Sequence, residues 1–368
     1  ESTLEAGMMW QKLTRTSKKY DLQSEITSFV SIDGTTEIQL IKITNLSEEE
    51  QEVTPIVAIP VYGRSADNIR DHRHVTSLLH RIDTKECGVE VTPVLSFDER
   101  GHQKNDTTYF VYGFTAEGNA PKEFYPTVES FIGEGGSFLI PEAVREEKTG
   151  CTAGCHLEGK EAVGAFRFER RKLKANESIE YVVLAGATGE KASISKICSL
   201  FGTKEQAENE LAKVKKYWTE KVNVEFETGD EATDNYLKWI CFQPILRRIY
   251  GCSFLPYHDY GKGGRGWRDL WQDCLALLLM NPDGVREMLL NNFQGVRIDG
   301  TNATIIGSKE GTFIADRNQI TRVWMDHGVW PFVTTKLYID QTGDLAVLGE
   351  EIPYFKDQQA GRGTKKDA

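Results

Sequence analysis

Apolar positions follow two regimes along the chain, and the change between them comes near Gly189. Before it, β-branched and aromatic residues occur in short runs separated by polar, glycine-containing segments. EITSFVSIDGTTEIQLIKITN (25–45) holds two such runs around Asp33-Gly34, the dipeptide signal of a tight hairpin. TYFVYGF (108–114), AFRFERRKL (165–173) and IEYVVLAGAT (179–188) predict further strands. No helical period is interleaved among them, so an antiparallel sandwich is expected rather than a parallel sheet.

After Gly189 the period lengthens. TKEQAENELAKVKKYWTEKV (203–222) opens with Thr203 and Gln206 at capping-box spacing. Ala207, Leu211, Val214, Trp218 and Val222 then share one helical face, which predicts a linker helix lying across an apolar surface. From Asp230 onward NYLKWICFQPILRRIY, DLWQDCLALLLM, GVREMLLNNF, PFVTTKLYID and DLAVLGEE all read as helical. WRDLWQDCLALLLM is apolar on every face beyond its first turn, whereas VREMLLNNF is one-sided. Alternation of that kind predicts the inner and outer rings of a helical barrel. Residues 231–368 hold too few helical segments to close a double ring, and FKDQQAGRGTKKDA has no domain-closing pattern. The barrel is therefore expected to be incomplete in this chain.

Charge narrows the function classes. Among 368 residues, 44 Lys and Arg stand against 55 Asp and Glu, a net charge of −11. With no long basic run, neither a nucleic-acid backbone nor an anionic lipid surface is an expected partner. No apolar stretch approaches the ~18 residues of a membrane span. ESTLEAGMMW has neither the basic nor the apolar region of a signal peptide. Seven scattered cysteines fit reduced thiols better than a disulfide framework, and a cytoplasmic location is expected. Sequons at Asn45, Asn105, Asn176 and Asn302 carry little weight without a secretory signal.

The candidate chemistry lies at the mouth of the most apolar helix. GKGGRG (261–266) supplies an irregular, glycine-rich loop, and a helix is predicted to start near Trp267. Arg268 with Gln272, and Asp269 with Asp273, are i,i+4 pairs that share faces of its first two turns. Carboxylates there suit the positive end of the helix dipole. Buried unpaired, such groups would be costly, so they need partners. Sugar hydroxyls fit, since each can donate to a carboxylate and accept from guanidinium, while Trp267 or Trp271 could cover a pyranose face. An ion-pair network tying helix to loop accounts for the same residues equally well.

With the strand-rich first half, the linker helix and the helical segment that follows, GWRDLWQD resembles the R-D-x-x-Q-D box of the inverting disaccharide phosphorylases of glycoside hydrolase family 94. The resemblance covers essentially the whole chain and implies that Arg268 and Asp273 bind the donor glucose. GVRIDGTNATIIG and WMDHGVWPFVTTKLYIDQTGD further along are most similar to the 1,2-β-oligoglucan, or sophorose-type, branch. They depart from the cellobiose and chitobiose branch, which has a Trp- and His-rich stretch there. By resemblance the fold is multidomain: an N-terminal antiparallel β-sandwich (1–189), a helical linker (190–230), then the first part of an (α/α)6 catalytic barrel (231–368). The implied reaction is reversible phosphorolysis of a β-glucoside with inversion, giving α-glucose 1-phosphate. Phosphate as co-substrate replaces activated water, so one catalytic carboxylate suffices and no metal or organic cofactor is expected. Implied partners are a β-glucooligosaccharide and phosphate, with a homodimer through the sandwich or association with the remainder of the barrel.

One departure matters. The family's general acid lies in a Trp-Asn-Asp motif, and no such triplet occurs in this sequence. The acid is expected beyond Ala368, together with the phosphate site, and this chain alone is expected to be inactive. An inverting glycosidase on the same scaffold, or a non-catalytic sugar-binding fragment, are the alternatives.

Weaker candidates lie elsewhere. GRSADNIRDHRHVTSLLHRI (63–82) is a basic loop in which Asp71, His72 and His74 are poorly spaced for a metal. CTAGCH (151–156) has a thiol-metal look but no second ligand pair, and is read as a loop. WMDHGVWP (324–331) reads as the start of another inner helix, with Pro331 at its first position, which would put Asp326, His327 and Trp330 on the same mouth as Asp273; a plain helix cap with a packed Trp accounts for it equally well. ADRNQ (315–319) is a similar loop candidate.

Overall fold

Alternation of side chains builds the first half of the molecule. A computed structural model of the chain describes residues 1–34, 36–62, 76–98, 101–250, 265–307, 309–314 and 325–356. The chain divides into two compact units, Glu1–Trp218 and Thr219–Ala368. In the first, strands run β1 (Ser2–Gly7), β2 (Trp10–Ser17), β3 (Leu22–Val30), β4 (Thr36–Asn45), β5 (Gln51–Val53), β6 (Ile56–Val61), β7 (His80–Lys85) and β8 (Gly88–Pro93). They continue as β9 (Leu95–Asp98), β10 (Gly101–Lys104), β11 (Thr108–Thr115), β12 (Glu123–Thr127), β13 (His156–Glu158), β14 (Ala162–Arg167), β15 (Arg171–Leu173) and β16 (Ser178–Thr188).

A nine-stranded sheet in the order β1-β2-β3-β4-β16-β11-β8-β7-β13 forms one layer, and a three-stranded sheet β12-β14-β6 lies against it. Every pairing in these two sheets is antiparallel. The predicted hairpin forms β3 and β4, with Gly34 at φ 74° in the turn. Between the sheets, Ile82, Val89, Val91, Val111, Phe166 and Val183 make the main core. The other parity of β12 and β14 buries Tyr125, Val163 and Ala165 against helix α1 (Val128–Ile132) and its neighbour α2 (Glu142–Arg145). AFRFERRKL is two strands rather than one: after Arg167 the chain leaves the three-stranded sheet, and β15 pairs with β5 instead. Asn45 and Asn105 are buried, and Asn45 Nδ2 donates to the Leu173 carbonyl at 3.0 Å, so these sequons serve the fold.

Two helices cap this unit. In α3 (Ala192–Phe201), which packs on β16, Ile194, Ile197 and Phe201 are buried. In α4 (Lys204–Lys221) the predicted face is buried at Ala207, Val214 and Trp218. The capping box is formed, Thr203 N–H donating to Gln206 Oε1 at 3.1 Å and Gln206 N–H to Thr203 Oγ1 at 3.4 Å. Glu210 Oε1 accepts from Ile32 N–H at 3.1 Å, which fastens the helix to the β3–β4 turn. Residues 190–218 therefore belong with the sandwich, and the unit boundary falls inside the segment expected to be a linker.

In the second unit, helices α5 (Glu231–Tyr250), α6 (Trp267–Met280), α7 (Val285–Phe293) and α8 (Val329–Thr342) pack around α6, which touches the other three. This is the arrangement expected of a helix apolar on nearly every face. Leu270, Trp271, Cys274, Leu277, Leu278 and Met280 are all buried. Among the described residues no helix is long and apolar enough to cross a membrane.

Candidate functional site

A three-stranded ribbon fixes the start of α6. Arg265-Gly266 pairs with Ile305-Ile306, which pairs in turn with Phe313-Ile314. Trp267 N–H then donates to the Thr304 carbonyl at 2.9 Å, so the first helical residue is tied to the ribbon. The Asp269 carboxylate approaches the cap closely: a Cβ at Gly266 would lie 2.2 Å from Asp269 Oδ2, and the carboxylate would have to swing aside. The Asp269 carboxylate thus folds back over the helix N-terminus, where the exposed N–H dipoles favour negative charge.

Arg268 points to the loop before α8. Its Nη2 donates to Asp326 Oδ1 at 3.0 Å, and the ion pair closes to 2.6 Å between Nε and Asp326 Oδ2 without a second hydrogen bond. Trp330 Nε1 donates to the same Oδ2 at 3.2 Å. Burial pushes the Asp326 carboxyl up, but the Trp330 hydrogen bond and the Arg268 charge outweigh it and hold it below its ordinary value. Arg268 and Asp326 are each about two-fifths exposed, at 42% and 41%, so the pair remains open to a ligand. Asp273, one turn further along α6 than Asp269, is 2% exposed and thus lies inside the unit. Gln272 is half-buried between them.

The tryptophans and the histidine are placed differently from the sequence expectation. Trp267 is 1% exposed, and its Nε1 donates to the His327 carbonyl at 3.0 Å. Trp271 is fully buried, with its ring 5.8 Å from Trp267 and 4.9 Å from Phe293. Neither presents a free face to a pyranose; both are core. His327 is 5% exposed, and Asn302 Nδ2 donates to its Nδ1 at 3.0 Å, which leaves the imidazole proton on Nε2. Helix α8 begins at Val329 after Gly328, so Pro331 stands third rather than first, still within the turn whose N–H groups have no intrahelical partner.

Two supporting residues escaped sequence reasoning. Asn302 was visible only as part of a sequon, yet it joins the ribbon to His327. Buried Arg297, whose Nη1 donates to the Asn302 carbonyl, sits in GVRIDG without any spacing signal. Residues 63–75 of the basic loop and 315–319 lie outside the described residues, Asp71, His72 and His74 among them. Among the described residues, no group of three or more His, Cys, Asp or Glu could hold a metal ion.

Residues 9–204 match the family description "Glycosyl hydrolase 94, supersandwich domain", and residues 217–364 match "Glycosyl hydrolase 94 superfamily, catalytic domain". The chain belongs to glycosyl hydrolase family 94. Its curated relatives include cellobionic acid phosphorylase of Neurospora crassa, 24% identical over 341 residues, which cover 90% of this chain and 39% of that protein. N,N'-diacetylchitobiose phosphorylase of Vibrio furnissii is 23% identical over 205 residues, 50% of this chain and 25% of that protein. The chain thus spans less than half the length of these two relatives. A bacterial glucoamylase complexed with acarbose shares the fold with a TM-score of 0.53 at 10% identity, over 91% of this chain and 46% of that one. The antiparallel sandwich followed by helices of an (α/α)6 enzyme is the family 94 architecture expected from the sequence.

Proposed function

We propose that this chain supplies the donor-sugar side of a carbohydrate phosphorylase. The enzyme would cleave a β-glucosidic bond, in a β-1,2-glucooligosaccharide, with inorganic phosphate and inversion, giving α-glucose 1-phosphate. The observation that carries the reading is the Arg268–Asp326 pair at the N-terminus of α6, about two-fifths exposed, on the same first two turns of the helix as Asp269, Gln272 and buried Asp273. A planar guanidinium locked on one side by a carboxylate still has donors free for vicinal hydroxyls. Asp273 and Asp269 are acceptors for the hydroxyl protons of the same ring. The named activities of the curated relatives are both phosphorolytic, which supports phosphate over water as nucleophile.

The test uses a full-length protein carrying these residues. It is incubated with β-1,2-glucooligosaccharides with and without phosphate, and glucose 1-phosphate and glucose are quantified. Phosphate-dependent release of glucose 1-phosphate is expected, and Asp273→Asn should depress it in a well-folded variant. Glucose release at the same rate without phosphate would instead indicate an inverting hydrolase. Its water-activating carboxylate should then stand roughly 6.5–9.5 Å from the acid.

A further inference from the structure

The loop Cys151-Thr152-Ala153-Gly154-Cys155 is used by none of the sugar chemistry, yet hydrogen bonds tie both of its ends to the sandwich. Thr84, on β7, clamps one end. Its N–H donates to the Cys155 carbonyl at 3.0 Å and its hydroxyl to the Thr152 carbonyl at 2.9 Å. The same hydroxyl accepts from Cys155 N–H at 2.9 Å, and the Thr84 carbonyl accepts from Gly154 N–H at 2.9 Å. Cys151 is pinned at the other end by exchanging both backbone hydrogen bonds with Phe124, each 2.9 Å. Gly154, at φ 93°, supplies the reversal that side chains resist. Both cysteines are free and half-buried, and their thiols hydrogen-bond each other.

We propose that Cys151 and Cys155 are a dithiol–disulfide couple, a modification site oxidised by low-molecular-weight disulfides of the glutathione class. The loop is already closed in the reduced protein, so forming the bond orders little that is not ordered already. Cys151 packs against the sandwich core, and burial, with the Cys155 hydrogen bond, pushes its thiol up to about 12. Cys155 lies outside that core cluster, so it is assigned the first attack. The Cys155 sulfur attacks one sulfur of glutathione disulfide; that S–S bond breaks, and glutathione leaves with the proton that Cys155 gave up. Cys151 then attacks the Cys155 sulfur, the mixed disulfide breaks, and a second glutathione leaves with the Cys151 proton. Two protein thiols are oxidised by two electrons, and one glutathione disulfide is reduced to two thiols. His156 stands apart from this chemistry, its Nδ1 being 2.8 Å from Asp83 Oδ1 and its Nε2 3.2 Å from Glu158 Oε1.

The experiment treats the reduced chain with glutathione disulfide, quenches with acid over a time course, and maps peptides by mass spectrometry without reduction. In the unsubstituted chain the expected end product is an internal Cys151–Cys155 link lacking two hydrogens, preceded by a transient adduct on Cys155. Cys151→Ser should halt at the Cys155 adduct, which then persists. A stable adduct on either cysteine of the unsubstituted chain, or both thiols still alkylated as in untreated protein, would overturn the proposal. That comparison needs no variant to fold, and it stands or falls independently of the phosphorylase reading.

Discussion

Asp326 gathers the polar contacts of the site onto one carboxylate: Arg268 Nη2 and Nε on two sides, and the Trp330 indole on a third. Because its folded value is lowered, the pair is fully formed above the ordinary carboxylate range, about pH 4, and is lost as pH falls through the lowered value. The Trp330 indole N–H reports this directly. Its proton resonance should move with a single midpoint below about pH 4, and should lose that step in Asp326→Asn. A midpoint at or above the ordinary range would mean that Arg268 does not hold the carboxylate in solution. At this scale the sequence was informative about position and less so about role. A polar cluster opening an apolar helix is legible because burial of charge is expensive. Whether Trp267 stacks on a sugar or on Trp271 is not, because one side chain suits both surroundings and only the tertiary neighbours decide.

Among the elements, α4 could be read from period alone, since one of its faces is buried and the other is not. The long strands were legible from their runs of β-branched and aromatic residues instead, because β11, β14 and β16 are buried on both faces along their centres. The shorter strands were not legible. In β6, Pro60 reads as a strand breaker, yet β6 lies at the edge of its three-stranded sheet, where a missing donor is tolerated. The close approach of β11 to β14 was equally hidden, and two glycines enable it. A Cβ at Gly113 would lie 2.2 Å from Phe166 Cε2, and one at Gly164 would lie 2.3 Å from Val111 Cβ. Gly113→Ala should therefore overpack the layer and destabilise the sandwich by about 1–3 kcal/mol. Urea unfolding monitored by circular dichroism would measure it. A midpoint equal to that of the unsubstituted chain would show that Phe166 moves aside without cost.

For the molecule as a whole, the proposed mechanism draws its acid from a Trp-Asn-Asp motif that these 368 residues do not contain. Positioned proton transfer contributes about 10²–10⁴-fold, so the chain alone should release no glucose 1-phosphate above background from β-1,2-glucooligosaccharides. Turnover equal to that of a full-length family member would place the acid within the chain, with Asp269 and Asp326 the first to substitute. The strand order has a different kind of consequence, for the order of events during synthesis. β16 is the last made of the strands in the nine-stranded sheet, yet it stands fifth of nine, between β4 and β11, and its Ser178 hydroxyl meets that of Thr44 across 134 residues. Until it has left the ribosome, the β1–β4 meander and the β11-β8-β7 group share no partner, and each offers an open edge to other chains. Closure of the sheet must wait for a strand whose contacts are distant in sequence, a step that is slow because loop entropy is lost before those contacts form. A nascent sandwich of this topology is thus most vulnerable to aggregation just before its final strand is complete.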